Sequence, residues 1–183
     1  MLIKTIFAGF GGQGILSMGL NLAQAAMLEG KYVTYLPSYG AEVRGGTANC
    51  TVAISDEEIA SPVASSPDYV VVMNLPSLIR FQNHVQSGGI LFINSSLVEK
   101  EVTRNDIEII RVPANSIAEK LGTPRSANMV MLGSFIHKSD LLSLDSIVAG
   151  MDRALKNRRK LISINKDALN AGYDFLRNGS AKG

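Results

Sequence analysis

The stretch Ile3-Lys4-Thr5-Ile6-Phe7-Ala8-Gly9-Phe10-Gly11-Gly12-Gln13-Gly14-Ile15 is a β-rich apolar run cut off by a cluster of glycines, and together with the segment after Gly14 it decides the fold class. Beyond that glycine, the residues Ile15, Met18, Leu22, Ala25 and Ala26 recur at helical spacing, which predicts a helix with one apolar face. Gly30 stands where a left-handed C-cap is wanted, and Lys31 to Leu36 then reads as a second strand. Strand, glycine loop, helix and strand make a βαβ unit, whose two strands run parallel with a right-handed crossover when they share a sheet.

Working outward, Thr47 to Ile54 is β-branched, with glycines before it and the acidic turn Asp56-Glu57-Glu58 after it, so it reads as a third strand. The connection Pro37 to Gly46 has no helical pattern. A parallel crossover normally needs a dozen or more residues and a helix, so an antiparallel or edge pairing is expected here. Asp68 to Met73 is a continuous apolar run of the kind buried on both faces. A helix from Pro76 to Val85 comes next, with proline in its first turn. Gly89 to Asn94 and Glu108 to Val112 read as two more strands, and Asn115 to Leu121 as a short helix with Ala114 or Asn115 near its cap. Beyond Pro124 the pattern is helical throughout: Ala127 to His137, Leu144 to Lys156 and the amphipathic Lys160 to Arg177. The expectation is an α/β fold, a three-layer α/β/α sandwich with a mostly parallel, mixed sheet, a Rossmann-like N-terminal βαβ and a helical C-terminus. Residues 1–183 are expected to form a single domain with a frayed tail over 178–183.

Composition narrows the function. At 183 residues a compact fold buries about 70% of the surface its unfolded chain exposes, enough for a core without disulfides or metals. The net charge of +2 is too small for the broad positive field that sequence-independent nucleic-acid binding relies on. Cys50 is the one cysteine, so neither an intrachain disulfide nor the thiolate set of an iron–sulfur or zinc site is available. The N-terminus lacks the apolar length and cleavage site of a signal peptide, which makes the cytoplasm the expected location. No apolar run approaches the roughly 20 residues that span a bilayer.

Two loops stand out. Gly9, Gly11 and Gly14 fit G-x-G-x-x-G between a strand and a helix, and backbone N–H groups at a helix start make a site for phosphate or another anion. The dinucleotide fingerprint also wants an acid at the tip of the second strand to hold ribose hydroxyls, and that stretch is Tyr35-Leu36-Pro37-Ser38-Tyr39. No Gly-Lys-Ser or Gly-Lys-Thr makes it a P-loop, and glycines that simply permit a tight turn are the plain alternative. The second loop, Ser38-Tyr39-Gly40-Ala41-Glu42-Val43-Arg44-Gly45-Gly46, is polar and glycine-rich, and long loops of this kind are more often functional than ordinary connections are. Its plain reading is a Glu42–Arg44 pair on a solvated turn. Its sharper reading places it beside the glycine loop at the carboxyl edge of the strands, where ligands and partners of open α/β sheets dock. His84 and His137 fall on separate predicted helices, Cys50 is expected as a small buried apolar group, and Lys156-Asn157-Arg158-Arg159-Lys160 reads as a solvated helix junction. Met129-Val130-Met131-Leu132 is core filler or a partner surface. No nucleophile elbow, paired-carboxylate motif or metal-ligand spacing is present.

Gly9-Phe10-Gly11-Gly12-Gln13-Gly14, with Ser38-Tyr39-Gly40, Glu42, Arg44-Gly45-Gly46 and the strand Asp68-Tyr69-Val70-Val71 after it, resembles the gamma subunit of the 2-oxoacid:acceptor (ferredoxin) oxidoreductases over essentially the whole chain. The resemblance implies a multi-subunit enzyme that converts a 2-oxoacid and coenzyme A to acyl-CoA and carbon dioxide and passes electrons to ferredoxin. It implies further that thiamine diphosphate and Fe-S clusters are held by other chains: thiamine-binding and oxoacid-binding subunits and a ferredoxin-like Fe-S subunit. On this reading the isolated chain is inactive and holds no cofactor. Gly9, Gly11, Gly12, Gln13 and Gly14 then form a cofactor-binding or interface loop, and Ser38, Tyr39, Gly40, Glu42, Arg44, Gly45 and Gly46 a loop facing partner or substrate. A 2-oxoglutarate or branched-chain type is favoured. The alternatives are a stand-alone Rossmann-like nucleotide-binding module, or a homodimeric scaffold that uses the Met129 to Phe135 helix as its interface.

Overall fold

The computed structural model describes residues 1–39, 46–154 and 159–180. In chain order the elements are β1 (Leu2–Phe10), α1 (Ile15–Leu28), β2 (Tyr32–Tyr39), β3 (Thr47–Ser55), β4 (Tyr69–Val72), α2 (Leu75–Phe81), β5 (Ile90–Asn94) and β6 (Glu108–Val112), and then α3 (Ala114–Lys120), α4 (Ala127–Ser139), α5 (Leu144–Ala154) and α6 (Arg159–Ser180). One six-stranded sheet runs in the order β2-β3-β1-β4-β5-β6.

Four strands, β1, β4, β5 and β6, are mutually parallel. β3 is antiparallel to both of its neighbours, β1 and β2, so the expected antiparallel return is present but is not at an edge. It pairs with β1 over nine residues, from Leu2↔Ser55 to Phe10↔Thr47. β1 and β2 keep the parallel sense of a βαβ unit, but β3 lies between them and β2 is the edge strand. The insertion moves the tip of β2 about 10 Å from β1, two strand spacings rather than one.

Side chains alternate across the sheet as a pleat requires. Phe7, Val71 and Phe92 face one core, with α1, α4, α5, α6 and the first turns of α3. Ile6, Ala8, Val70, Val72, Leu91 and Ile93 face a second core closed by Leu78 and Phe81 of α2 with Val85 and Val98. Burial on both faces is why these strands read as unbroken apolar runs. The sandwich has three layers, and the layer that α2 belongs to is the thinner one.

Several local expectations are corrected. α2 stops at Phe81 and not Val85, because Val85 turns in to join the second core. Pro113 occupies the cap position of α3, and the side chain of Asn115 is held by Asn94 instead. Met129, Val130, Met131, Leu132 and Phe135 are all within 1% of full burial, so the helix offered as a homodimer interface is the centre of the chain's own core. Phe135 makes edge-on contacts with Phe7, Tyr69 and Phe92 at 5.6, 5.4 and 5.5 Å. A helix apolar on every side is a buried helix. α6 runs to Ser180, and residues 181–183 of the tail lie outside the described residues. Of the basic stretch, Lys156, Asn157 and Arg158 lie outside the described residues. Gly30 does take the expected left-handed conformation, with φ 75°.

Candidate functional site

β1 and β4 are parallel neighbours, yet the chain leaves them toward opposite faces: from β1 into α1 on the first core, from β4 into α2 on the second. Such a switch opens a crevice at the carboxyl ends of the strands. The glycine loop lies along it. Gly11 donates its N–H to the carbonyl of Gly46 at 3.0 Å, so the structure brings the start of the first candidate loop against the end of the second. Ser38 and Tyr39 close the β2–β3 ladder opposite Asn49 and Ala48, at the same edge. Gly40, Glu42, Arg44 and Gly45 lie outside the described residues.

Inside the glycine loop, two positions admit nothing larger. A Cβ on Gly9 would sit 2.7 Å from Gln13 Oε1 and 2.5 Å from Ile15 Cδ1. Gly14 has φ 73°, where side chains are disfavoured, and its missing Cβ leaves room for the amide of Asn128, which donates to the Gly14 carbonyl at 3.2 Å. Gly14 is the N-cap of α1 and gives it no side-chain cap, and no acid stands in the first turn. Among the described residues, the opening N–H groups and the positive end of the helix therefore have no capping side chain and no acid in the first turn to offset them.

Gln13 is the fastener of the loop. Its Oε1 accepts the Phe10 N–H at 2.7 Å and the Asn74 amide at 3.1 Å. Asn74 Oδ1 in turn accepts the Ser77 N–H at 2.9 Å and caps α2. One strand further along, Asn94 donates to Asn115 Oδ1 at 2.7 Å. A row of amides thus stitches together the ends of β1, β4 and β5 and the first turn of α3.

Two clefts flank the glycine loop. One, of about 320 Å³, is lined by Phe10, Gly11, Gly12, Ile15, Ser17 and Ala48. The other, of about 210 Å³, is lined by Gly12, Gln13, Met73, Asn115, Arg125 and Ala127, among others. The histidines line neither: His84 lies just after α2 with its ring 5.7 Å from that of Phe81, and His137 in α4 stacks edge-on against Tyr173 at 4.7 Å. Cys50 lies in β3, fully buried, and burial pushes its thiol up to about 12. A lone thiol held protonated is not a donor set for an iron–sulfur cluster. Among the described residues no three His, Cys, Asp or Glu side chains group to hold a metal ion, and no helix is long and apolar enough to cross a membrane. The requirements for a dinucleotide are also unmet: no acid ends β2, and the tip of β2 is displaced from the glycine loop by the width of β3.

The sequence profile of the pyruvate ferredoxin/flavodoxin oxidoreductase family matches residues 4–175. The chain belongs to that family. It is 41% identical over 177 residues to the ketoisovalerate oxidoreductase subunit VorA of Methanothermobacter thermautotrophicus, covering 96% of this chain and 36% of VorA. It is 34% identical over 182 residues to the 2-oxoglutarate synthase subunit KorC of the same organism, covering 94% of each. The domain therefore spans little more than a third of VorA but nearly all of KorC. Among solved structures, the gamma subunit of a keto/oxoacid ferredoxin oxidoreductase from Geobacter sulfurreducens superposes with a TM-score of 0.79 at 24% identity, covering 94% of this chain and 96% of that one. The resemblance to this family and the α/β sandwich are both borne out.

Asn74, Asn94, Asn115, Asn128 and Arg125 do not stand out as site residues in the sequence. For Asn74 a signal exists, since asparagine before Leu75-Pro76-Ser77 is an N-cap pattern. For the others there is none, because each partner is distant in the chain.

Proposed function

We propose that this chain is a subunit of a multi-subunit 2-oxoacid:ferredoxin oxidoreductase, in which a 2-oxoacid and coenzyme A become acyl-CoA and carbon dioxide and the electrons pass to ferredoxin. Thiamine diphosphate and the Fe-S clusters belong to partner chains. This chain completes the assembly, with Gly9–Gly14 and Ser38–Gly46 facing the partner that carries the reaction. The observation that supports the reading most is the Gly11–Gly46 hydrogen bond, which ties the end of the second loop to the first beside the β1/β4 switch, where docking in open α/β sheets is concentrated. The span of VorA supports it as well. A chain of which this domain is about a third keeps the domain in permanent proximity to the remainder. The names of the two relatives favour a branched-chain 2-oxoacid or 2-oxoglutarate as substrate.

The test is co-purification from the native host. The chain should elute with a thiamine-binding chain and a cysteine-rich ferredoxin-like chain, and the complex should form acyl-CoA. Ser17 is exposed on the first turn of α1 and lines the larger cleft. Ser17→Trp should break the complex while the isolated chain stays folded, and Arg44→Ala should weaken assembly or acyl-CoA formation. Full activity with normal subunit ratio in both variants overturns the reading, as does tight binding of NAD(P) by the isolated chain, which the nucleotide-module alternative requires.

A further inference from the structure

We infer that the smaller cleft, between the glycine loop and the first turn of α3, is a binding site for the oxyanion group of a small molecule, held by Gln13, Asn115 and Arg125. The directions of the amides decide it. A backbone N–H can only donate, so the Gln13 atom 2.7 Å from Phe10 N must be the oxygen. Asn74 agrees: its oxygen is committed to the Ser77 N–H, which leaves its NH2 to meet the same Gln13 oxygen. Gln13 Oε1 is therefore spent on the scaffold, and Nε2 is left to face outward. The second amide is set the same way. Asn94 is fully buried, and its NH2 lies by the Met73 carbonyl at 3.4 Å, an atom its oxygen would repel. That NH2 donates to Asn115 Oδ1, so Asn115 also has its oxygen spent and its NH2 left over.

Gln13 and Asn115 both line the cleft, together with the backbone of Gly12 and with Arg125, an exposed cationic residue. Among the described residues, no hydrogen bond occupies Gln13 Nε2 or Asn115 Nδ2, and Arg125 forms no ion pair. No carboxylate lines the cleft. The polar side-chain groups offered to a ligand are thus two neutral donors and one cation, with no acceptor among them. A group that satisfies all three at once is acceptor-rich, anionic and small enough for about 210 Å³: a carboxylate or a phosphate.

The cleft is tested apart from the proposed enzyme assembly, on the full chain alone. The side-chain NH2 resonances of Gln13 and Asn115 are followed by NMR during titration with inorganic pyrophosphate in one arm and succinate in the other. A saturable shift of both resonances is expected, and the arm that produces it at lower concentration tells phosphate from carboxylate. Gln13→Glu and Asn115→Asp each keep the oxygen that the scaffold uses and replace only the outward donor, so the fold is preserved. Each should weaken binding at least about tenfold, as should Arg125→Gln, since a hydrogen bond to a charged group is worth at least about a factor of ten. Unchanged Phe10 and Asn74 amide resonances in the variants confirm that the loop is intact. No saturable shift with either probe overturns the site, and so does an affinity equal to that of the parent chain in all three variants.

Discussion

Gln13 Oε1 accepts the side-chain amide of Asn74 across 3.1 Å, so the loop that ends β1 is tied to the residue that caps α2. The two positions are 61 residues apart, and the bond spans the crevice where the chain changes face. Stability of α2 and shape of the glycine loop are consequently linked through one side chain.

Replacing Asn74 tests that link. Asn74→Ala removes the cap, worth about 1 kcal/mol, and removes one of the two donors to Gln13, so the melting temperature should fall by at least about 2 to 4 °C. Asn74→Asp separates the effects. Its oxygen still accepts from Ser77, but at neutral pH it turns a second oxygen toward Gln13 Oε1 in a nearly buried place. Asn74→Asp should therefore lower the melting temperature at pH 7 and recover part of the loss in acid, where the protonated carboxyl donates again. A thermal melt of both variants across pH checks this, and no recovery in acid would show that the Gln13 contact is immaterial.

Phe135 is a junction of the main core, where three aromatic rings meet it edge-on. Phe135→Ala should destabilise the chain by about 3 to 5 kcal/mol, the cost of a large buried cavity, read from the midpoint of a urea titration. Were the helix an interface between copies instead, the same substitution would change the association state and leave the monomer's stability nearly intact.

The elements that sequence makes legible are those whose signal is local. β1, β4 and β5 show as apolar runs because both of their faces are covered, and the antiparallel sense of β3 is set by a connection too short for a crossover helix. The place of β3 between β1 and β2 is not legible: an antiparallel return on either side of β2 satisfies the same local pattern, and only the nine-residue pairing with β1 decides it. The site divides in the same way. Gly9, Gly11 and Gly14 are visible because glycine spacing is a backbone requirement written in consecutive residues. The donor-lined cleft is assembled from Gln13, Asn115 and Arg125, and it depends on Asn74 and Asn94 to orient the amides. Nothing in one sequence ties an asparagine at the end of one strand to another 21 residues later. The apolar run Met129 to Leu132 does carry enough information to be read as core, since no polar face interrupts it.

Asp56 gives a pH dependence with a defined sign. Its carboxylate bonds Lys31 Nζ at 2.6 Å and lies 3.2 Å from the N-terminal ammonium. The bond from Lys31, then that from the N-terminus, holds Asp56 below its ordinary 3.8, and the same bond holds Lys31 above its ordinary 10.5. A lowered carboxylate stabilises the fold above its unfolded value and loses that contribution as pH falls through the folded one. A raised lysine stabilises below its unfolded value and loses its share as pH rises through the folded one. The pair therefore contributes over the whole range from above about pH 4 to below about pH 10. Asp56→Asn should lower the melting temperature slightly within that window and leave it unchanged in strong acid, below the folded value of Asp56. Asp56 is exposed and Lys31 half-buried, so the pair is open to solvent and raising the salt to about 0.5 M should shrink the difference.

Cys50 should be chemically silent until the chain unfolds. Its side chain is fully buried in β3, its Sγ lies 3.6 Å from the Ile15 carbonyl, and Gly19 of α1 packs so closely that a Cβ there would meet the sulfur. With the thiol pushed up to about 12, the thiolate fraction at about pH 8 is about a thousandth of that of an ordinary cysteine, and only the thiolate attacks. Access adds a second barrier, because a reagent reaches Sγ only if α1 lifts from β3. Labelling by an excess of iodoacetamide should accordingly track global unfolding, with the labelling midpoint in urea coinciding with the spectroscopic one. Labelling well below that midpoint would mean that α1 separates from the sheet in a local opening. The glycine loop, which is continuous with α1, would then belong to the least stable part of the fold and not to its rigid frame.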